Sequence, residues 1–508
     1  MTSQADIRRY RVSRFVHIFE KDDAAAIFHS LNLNILYVSP SILDILKILN
    51  KPFSIEGLEI TEIGRSTPDQ VFDSLVKAGM LVPDDFDEMD AVRELQRRSI
   101  TEPHITELFL VPTDECNFHC RYCHVVNNRL PDHACQHMTT DTAIAAVEKF
   151  IELTADCHNE QKNIVFYGGE TLINFPVIRD VIEYSAARSK AFAGPLKFTI
   201  FTNCSLVTED IAGFLGRHRV SIIASIDGTE DMHDAMRVTA GGAATYQDVI
   251  AGYQRLKEAG CTVGISCTVG PHNLNALPDI VDHFVRNLRP ANLGFNMQHH
   301  ILGKSNPGFV PLETVNARMI EAYVNARKEG LYLVHAINRL RVIAERRPRL
   351  KDCPACSRQI VVAPDGDVGP CEVFVTTRNY YIREKAARPA EILRHDTFRQ
   401  WHARSHFYWE DCHSCPAILL CGGGCPYDSH STSGNINCRD ERACVQSNAF
   451  LAWALWDIMD TTWERPLLPE GQFWAVAPTE FERRSVYGAI KSDGADTPLG
   501  SYHARAHL

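Results

Sequence analysis

The sequence predicts an α/β fold in three parts, and three observations carry that prediction. Strand and helix patterns alternate from residue 105 onward, which is typical of a parallel sheet. The first 95 residues read as short strands followed by small helices, an α+β unit. The last third of the chain is rich in cysteine, which indicates a domain built around metal or redox groups.

The whole chain limits the possible function classes. Its 508 residues suffice for two to four domains, and its apolar and charged fractions are those of an ordinary globular protein. A net charge of -11 argues against a nucleic-acid partner. The polar start and the lack of a long apolar run predict neither secretion nor a membrane partner. Seventeen cysteines then indicate metal or redox chemistry in a reducing compartment, so we expect the protein in the cytoplasm. We also expect a monomer.

The N-terminal unit, residues 1–95, has the outline of a winged helix. Strands are predicted at 15–20 and 26–38, a helix from Ser39, a second helix over 67–78, and a short strand at 80–82. A DNA-binding winged helix is disfavoured because Lys77 is the only basic residue of the second helix. A connecting helix is expected over 84–98, and residues 96–104 serve as the linker.

Six β/α units follow the linker. Strands are predicted at 108–112, 163–167, 197–203, 221–226, 262–269 and 292–298. Helices are predicted near 140–153, 176–188, 208–218, 246–259, 277–288 and 311–327. Each helix connects two strands in the manner of a parallel sheet.

A cysteine loop directly follows the first of these strands. Cys116, Cys120 and Cys123 form a Cys-x3-Cys-x2-Cys motif that can bind three irons of a four-iron cluster. The fourth iron then needs a ligand from outside the protein. A zinc site is the alternative, but it usually needs four ligands, and His124 is poorly placed because it adjoins Cys123.

With Tyr122 before the third cysteine, this loop resembles the radical S-adenosylmethionine (AdoMet) superfamily. The resemblance implies a partial (β/α)6 TIM-like barrel over residues 105–335, with its site at the C-terminal ends of the strands. It also implies that AdoMet chelates the open iron, and that an electron from the cluster splits AdoMet into methionine and a 5′-deoxyadenosyl radical.

The ends of the second to fourth strands carry residues that match this family. Gly168, Gly169 and Glu170 resemble its Gly-Gly-Glu motif, whose backbone binds the AdoMet amino group. Two glycines permit such a close approach.

Further matches are Asn203, Ser225, Asp227 and Arg237. The resemblance assigns Ser225 and Arg237 to the AdoMet carboxylate, for which arginine offers a planar fork, and the other polar strand ends to the ribose. Turn formation is the alternative role of Asn203 and Asp227.

The cysteines of the last third, taken as residues 336–466, resemble a SPASM domain. The matching stretches are Cys356-x9-Gly-x4-Cys371 and Cys412-x2-Cys415-x5-Cys421-x3-Cys425. The resemblance implies two auxiliary four-iron clusters suited to electron transfer. Their ligands would be Cys353, Cys356, Cys371 and Cys425 for the first, and Cys412, Cys415, Cys421 and Cys444 for the second.

Alternatives remain open in this domain. Structural zinc is one, and Cys438 competes with Cys444 as the last ligand. The other cysteines are predicted to be buried, small apolar residues: Cys135, Cys157, Cys204, Cys261 and Cys267. The extension 467–508 has no motif; we expect a closing segment up to Trp474 and a loose tail over 491–508.

The N-terminal unit also resembles the RiPP recognition element of enzymes that modify ribosomally made peptides. The similarity lies in the strand pair, the Ser-Pro-x-Ile-x-x-Ile-Leu helix at 39–46 and the stretch 75–82. It implies that the leader of a precursor peptide adds as a strand to an exposed sheet edge.

Together these features predict a radical AdoMet maturase that receives electrons from flavodoxin or ferredoxin and takes a hydrogen atom from a precursor peptide. Auxiliary clusters favour an oxidative carbon–carbon or thioether cross-link over epimerisation. His299 or His300, after strand six, could act as the base, although exposed histidines are commoner than catalytic ones. The alternatives are a sulfatase-type maturase that oxidises cysteine or serine to formylglycine, and a metal-dependent winged-helix scaffold or regulator.

Overall fold

The computed structural model of the chain describes residues 9–22, 24–39, 43, 68–100, 104–129, 133–302, 310–383, 388–462 and 473–475. No helix within these ranges is both long enough and apolar enough to span a bilayer.

The N-terminal unit contains five strands and one helix in the described ranges. The strands are β1 (Tyr10–Val12), β2 (Val16–Lys21), β3 (Ala24–His29), β4 (Ile35–Val38) and β5 (Leu81–Pro83), and the helix is Pro68–Lys77. Strands β2, β3 and β4 pair antiparallel in that order, while β1 pairs with β5. The predicted helix that starts at Ser39 falls outside the described residues, apart from Leu43.

One predicted strand of this unit is wrong. Residues 26–38 do not form a single strand, because a turn separates β3 from β4. Leu33 has a φ of 59° in this turn, and the Asn32 side chain accepts a hydrogen bond from the Asn34 N–H. Asparagine stabilises turns of this kind through such local hydrogen bonds.

A nine-stranded sheet forms the centre of the molecule. Its middle strands follow chain order and are all parallel: β6 (Glu107–Leu110), β7 (Lys162–Phe166), β8 (Leu196–Thr202), β9 (Ser221–Ser225), β10 (Thr262–Val269) and β11 (Asn292–Met297). Strands β6 and β7 are buried throughout, as expected for a parallel sheet with both faces covered.

The helices between these strands agree with the prediction within two residues at each end. They are Thr140–Leu153, Phe175–Ala187, Glu209–Arg217, Tyr246–Glu258, Leu277–Asn287 and Leu312–Lys328. Threonine side chains cap two of them: Thr139 accepts from the Thr142 N–H at 3.2 Å, and Thr208 accepts from the Ile211 N–H at 3.3 Å.

Both edges of the sheet extend beyond the six predicted strands. β12 (Tyr332–Leu333) pairs with β11, while β13 (Gln359–Val362) pairs parallel with β6 and antiparallel with β14 (Val368–Gly369). The sheet stays open because β6 pairs with β13 and not with β11. β13, which lies in the stretch 336–466 assigned to the cysteine-rich domain, thus pairs into the central sheet.

Helices and tight turns make up the remaining C-terminal part. The helices are Val334–Glu345, Pro389–Arg394, Asp396–Ala403, Glu410–His413, Ile418–Cys421, Pro426–Ser433 and Glu441–Thr462. Helix Met89–Ser99 and the short helices His124–Asn127 and Glu230–Asp234 complete the set in the described ranges. Between Cys421 and Cys425 all three glycines have positive φ, so the chain turns tightly there.

The C-terminal part contacts the N-terminal sheet. The Tyr37 hydroxyl donates to the Leu455 carbonyl, and the rings of Tyr37 and Trp456 lie 6.2 Å apart. A last strand, β15 (Phe473–Ala475), pairs antiparallel with β4. The predicted closing segment therefore does pack on the domain, at residues 473–475.

Candidate active site

A cavity of about 350 Å³ lies at the C-terminal ends of the central strands. The cysteine loop forms one wall, and the residues that follow β7, β8 and β9 form the next. Because parallel strands all present their carboxyl ends at one edge, residues far apart in sequence meet here.

Cys116, Cys120 and Cys123 all line this cavity. Backbone hydrogen bonds fix their loop, since the N–H groups of His119 and Arg121 donate to the carbonyls of Val238 and Met236 at 2.6 and 3.0 Å. Burial raises the pKa of all three thiols, that of Cys120 to about 12. A bound cation is therefore needed to hold them as thiolates, which fits cluster iron.

The Gly-Gly-Glu turn is joined to the start of the cysteine loop. The N–H groups of Gly169 and Glu170 donate to the carbonyls of Thr113 and Glu115 at 3.0 and 2.7 Å. A Cβ atom on Gly169 would lie 1.9 Å from the Glu115 carbonyl oxygen, and one on Gly168 would lie 2.4 Å from the Thr113 carbonyl oxygen. Only glycine permits this approach.

The Glu170 side chain is held by hydrogen bonds within the protein. Its buried carboxylate accepts hydrogen bonds from the Thr202 hydroxyl at 2.7 Å, the Asn203 N–H at 2.7 Å and the Leu172 N–H at 3.0 Å. The side chain thus ties the turn after β7 to the end of β8. Although Glu170 lines the cavity, its carboxylate is engaged by the protein.

Arg237 enters the cavity from a buried charge cluster. Its Nε and Nη2 atoms lie 2.9 and 3.1 Å from the two carboxylate oxygens of Asp227, and its guanidinium lies 5.4 Å from the Tyr122 ring centroid. The Tyr122 hydroxyl donates to Asp227 at 2.5 Å. Burial acts to raise the pKa of Asp227, but Arg237 lowers it overall. Asp227 therefore orients Arg237, and it is Arg237 and Tyr122 that face the cavity.

Asn203 and Ser225 line the cavity as predicted. Asn203 also forms a turn, the alternative role considered for it, because its Oδ1 accepts from the Ser205 N–H at 3.0 Å. Three residues on β10 and β11 were missed, namely Ser266, Thr268 and Asn296. The strand-end argument that selected Asn203 and Ser225 would have selected these too, had it been extended to strands five and six.

The two candidate bases differ in position. His299 lines the cavity, and its Nδ1 lies 2.7 Å from Oδ2 of Asp428. Asp428 also pairs with Arg442 and accepts from the His300 backbone N–H at 3.1 Å. The His300 side chain is not among the described residues that line the cavity. The ring of His124 packs 5.3 Å from that of His299, and burial lowers the pKa of His124 to about 3.

Glu372 is a further carboxylate at the cavity that the sequence did not reveal. It directly follows Cys371, and its Oε2 accepts from the Gln359 side-chain amide at 2.8 Å. Burial raises the pKa of the Glu372 carboxyl. No motif or spacing distinguishes this glutamate from others in the sequence; only the pairing of β13 with β6 brings it to the site.

The cysteines of the C-terminal part gather in two sets. In the first, burial raises the pKa of Cys353, and the nearby thiols of Cys356 and Cys371 add to the rise. Burial likewise raises the pKa of Cys425, with smaller contributions from Asp428 and Cys353. Cys425 similarly raises the pKa of Cys371. This is the set that the family pattern predicts for the first auxiliary cluster.

In the second set, Cys444 hydrogen-bonds to Cys421 and lies near Cys412 and Cys415. That hydrogen bond lowers the pKa of Cys421 to about 7. Cys438 instead presents its carbonyl to Arg404 at 3.2 Å. The geometry thus favours Cys444 over Cys438 as the fourth member.

The spacing of the thiols bears on the zinc alternative. Thiolates that share one tetrahedral zinc lie about 3.8 Å apart. Among the described residues, the only three ligand atoms within 4.8 Å of one another belong to His299, Cys425 and Asp428. No set of three cysteines in those ranges converges on a single ion, so the wider spacing of a multi-iron cluster fits the donor sets better.

Of the five cysteines predicted to be buried, small apolar residues, four are buried, namely Cys157, Cys204, Cys261 and Cys267. The prediction for Cys135 is wrong, because this residue is exposed. It lies among exposed neighbours in the segment before helix Thr140–Leu153, where no apolar periodicity calls for burial.

A pair of cysteine variants tests the second set. We expect Cys444→Ala to lose about four irons per chain after anaerobic reconstitution, whereas Cys438→Ala, the matched control, keeps the full number. Iron counting and the iron–sulfur absorption band provide the measurement. Iron loss in Cys438→Ala with none in Cys444→Ala would reverse the assignment.

Residues 110–284 match the family model described as "Radical SAM superfamily". The chain contains a radical SAM domain over these residues. Radical SAM enzymes use AdoMet and a [4Fe-4S] cluster, for which the cavity offers three thiols in one loop, a close glycine turn and a buried arginine. These residues fit that pair of cofactors.

Known proteins resemble this chain over most of its length. It is 24% identical to the radical SAM cyclopropyl synthase TigE of Paramaledivibacter caminithermalis, over 86% of this chain and 94% of that protein. It is 22% identical to a cysteine-type anaerobic sulfatase-maturating enzyme of Clostridium novyi, over 66% of this chain and 93% of that protein.

Solved structures share the fold. The anSMEcpe enzyme with bound AdoMet superposes with a TM-score of 0.60 at 18% identity, covering 70% of this chain and 98% of that one. Streptococcus suis SuiB bound to its precursor peptide SuiA gives a TM-score of 0.51 at 13% identity, covering 85% and 99%. The predicted α/β architecture with a mostly parallel central sheet is thereby confirmed.

Proposed function

We propose that this enzyme matures a ribosomally made precursor peptide by installing an oxidative cross-link. The observation that carries the proposal is the position of the first C-terminal cysteine set beside the AdoMet-type cavity. Glu372, next to Cys371, and His299, whose ring nitrogen lies within 4.8 Å of the Cys425 thiol, both line the cavity. A redox group held by that set could therefore act directly on a substrate bound there.

The relatives support modification of a peptide. TigE is named a cyclopropyl synthase, and AlbA of Bacillus subtilis, 23% identical over 61% of this chain, is named for biosynthesis of the bacteriocin subtilosin. SuiB was crystallised with a precursor peptide. A cyclopropyl ring contains only carbon–carbon bonds, so the TigE name favours a carbon–carbon bond over a thioether.

The overall change removes two hydrogens from the peptide. When bound, AdoMet and its cluster supply a 5′-deoxyadenosyl radical that takes one hydrogen atom, and auxiliary clusters take the electron released when the new bond closes. The second hydrogen leaves as a proton. Cys116, Cys120 and Cys123 would hold the AdoMet cluster, while Arg237 and Ser225 would position the AdoMet carboxylate.

Glu372 is well placed to take that proton. It lies at the cavity beside the first auxiliary set, and its one hydrogen bond to a described side chain comes from a neutral amide, that of Gln359. His299, in contrast, is held by the buried Asp428–Arg442 pair. We therefore favour Glu372 over the two histidines as the base.

Replacement of this carboxylate should separate the two halves of the reaction. We expect Glu372→Gln to form deoxyadenosine within about threefold of the wild-type rate, while the cross-linked product falls by about 10² to 10⁴-fold. Mass spectrometry of the peptide and chromatography of deoxyadenosine measure both. The exposed Glu391→Gln is the control, and a wild-type rate of product formation in Glu372→Gln would exclude this role.

Two partners follow from the proposal. The precursor peptide would dock through its leader on the N-terminal sheet by adding a strand. A flavodoxin or ferredoxin would supply the electron that starts each turnover. We propose the cytoplasm as the setting, because all seventeen cysteines are free and their chemistry needs reducing conditions.

The test is coexpression with candidate precursor peptides encoded beside the gene. A product lighter by two hydrogens, with the new bond located by fragmentation, would support the cross-link. A product of unchanged mass with an inverted residue would indicate epimerisation and contradict the proposal.

Maturation of a sulfatase is the second candidate. The observation that favours it is the similarity to the sulfatase-maturating enzyme of Clostridium novyi and to the anSMEcpe structure. Such an enzyme would convert a cysteine or serine in a short sulfatase peptide to formylglycine. Incubation with such a peptide decides between the two, because formylglycine carries an aldehyde that hydrazide reagents trap.

A further inference from the structure

The N-terminal sheet has two edges, and they differ in what covers them. At one edge, β4 pairs with β15, in the register Phe473 with Val38, Trp474 with Tyr37 and Ala475 with Leu36. At the other edge, β2 pairs only with β3 among the described residues. The edge of β4 therefore accepts an antiparallel strand from a distant part of the sequence.

The composition of the two strands explains this difference. β4 consists of four apolar or aromatic residues, all buried. β2 ends in Glu20 and Lys21 and exposes Ile18 at 41% of its surface. Charged residues discourage strand addition at an edge, whereas an uncovered apolar edge invites pairing with other chains. β15 thus protects the edge that would otherwise be the better acceptor.

The described part of the covering strand is short. It consists of three residues that pair with three of the four residues of β4, so these described residues share few backbone hydrogen bonds. A longer peptide that pairs along all of β4 would gain more hydrogen bonds than it displaces. Such a strand is therefore suited to hold the edge temporarily.

We propose that the leader of the precursor peptide binds at the edge of β4 by replacing β15. This inference rests on the proposed function and names the edge at which the leader adds. β15 acts as an internal competitor, so the apparent affinity for the leader equals the affinity of the open edge multiplied by the fraction of molecules in which β15 has left. Opening the edge should strengthen leader binding without any change to the edge itself.

Proline substitutions in the full-length chain open the edge selectively. In an antiparallel pair, alternate N–H groups point to the partner strand, and proline has none to donate. The N–H groups that point to β4 belong either to Trp474 or to both Phe473 and Ala475. One of the two variants, Trp474→Pro or Phe473→Pro/Ala475→Pro, therefore removes hydrogen bonds to β4. The variant whose N–H groups point away from β4 is the matched control. The backbone of these residues pairs with β4 of the N-terminal sheet, so uncoupled AdoMet cleavage should stay unchanged.

The binding experiment uses two probes: the fluorescein-labelled precursor peptide encoded beside the gene, and an unlabelled synthetic peptide of residues 470–478. We expect the precursor peptide to bind one of the two proline variants at least tenfold more tightly than the wild type. The 470–478 peptide should compete with the precursor peptide for that variant. A 470–478 peptide that carries the same proline substitution as that variant, Trp474→Pro or Phe473→Pro/Ala475→Pro, should not compete.

Equal affinity for the precursor peptide in the wild type and both proline variants would overturn the inference, as would failure of the 470–478 peptide to compete. Mass spectrometry separates this failure from that of the proposed function. If the precursor peptide is still modified, the function stands and only the docking edge is wrong. If no variant either binds or modifies it, the proposed function fails and this inference fails with it.

Discussion

The Cys120→Ala variant is expected to lose AdoMet cleavage by more than about 10³-fold. Cys120 is the buried middle cysteine of the loop, and its loss would leave two thiols for the three irons that the loop is proposed to bind. Removing a residue that only supports a metal ligand typically costs about 10 to 100-fold, so removing the ligand itself should cost more. Deoxyadenosine formation with AdoMet and dithionite gives the measurement.

The same variant should keep the iron of the two proposed auxiliary clusters. We expect about eight of about twelve irons per chain to remain, because the C-terminal cysteine sets lie on separate elements. Cys261→Ala is the matched control, since Cys261 is buried but contacts only the Ala212 carbonyl among described polar groups. It should keep iron and activity and cost about 1 kcal/mol of unfolding free energy. Cleavage by Cys120→Ala at the wild-type rate would contradict the ligand assignment.

The second large effect is expected for Gly169→Ala. The new Cβ atom would overlap the Glu115 carbonyl oxygen at 1.9 Å, so either the Gly-Gly-Glu turn or the cysteine loop must move. A displacement near 1 Å in an active site costs about 10²-fold in rate. We expect AdoMet cleavage to fall by at least that factor and AdoMet affinity to fall with it, measured by equilibrium dialysis and deoxyadenosine formation.

Gly213→Ala provides the matching control. Gly213 lies within helix Glu209–Arg217, where a Cβ atom would meet only the flexible Arg217 side chain at 3.4 Å. Because alanine favours helix, this change should raise the unfolding free energy by about 0.5 to 1 kcal/mol and leave activity unchanged. Normal AdoMet binding by Gly169→Ala would show that the turn does not need its close contact with the cysteine loop.

The sequence predicted the central sheet well because its information is local. Apolar strands and capped helices recur with clear periods, and the six strand-helix units lie where those periods place them. The cysteine loop and the strand-end residues Asn203 and Ser225 were found by motif and by position. These residues meet because of the parallel order of the strands, which alternation alone predicts.

Other features depend on contacts that no local pattern encodes. Glu372 reaches the cavity through the pairing of β13 with β6, and the Glu170 side chain is captured by donors at the end of the next strand. The turn between β3 and β4 was missed because the apolar residues on both sides read as one strand. The pairing of β15 with β4 brings together segments that are far apart in the sequence, and the residues of neither segment predict it.

The most direct test of the central claim is iron counting after anaerobic reconstitution, combined with an assay for deoxyadenosine in the presence of AdoMet and dithionite. A radical SAM enzyme with two auxiliary clusters should hold about twelve irons per chain and form deoxyadenosine. About four irons with deoxyadenosine would remove the auxiliary clusters and, with them, the basis for an oxidative cross-link. Bound zinc without deoxyadenosine would contradict the whole account.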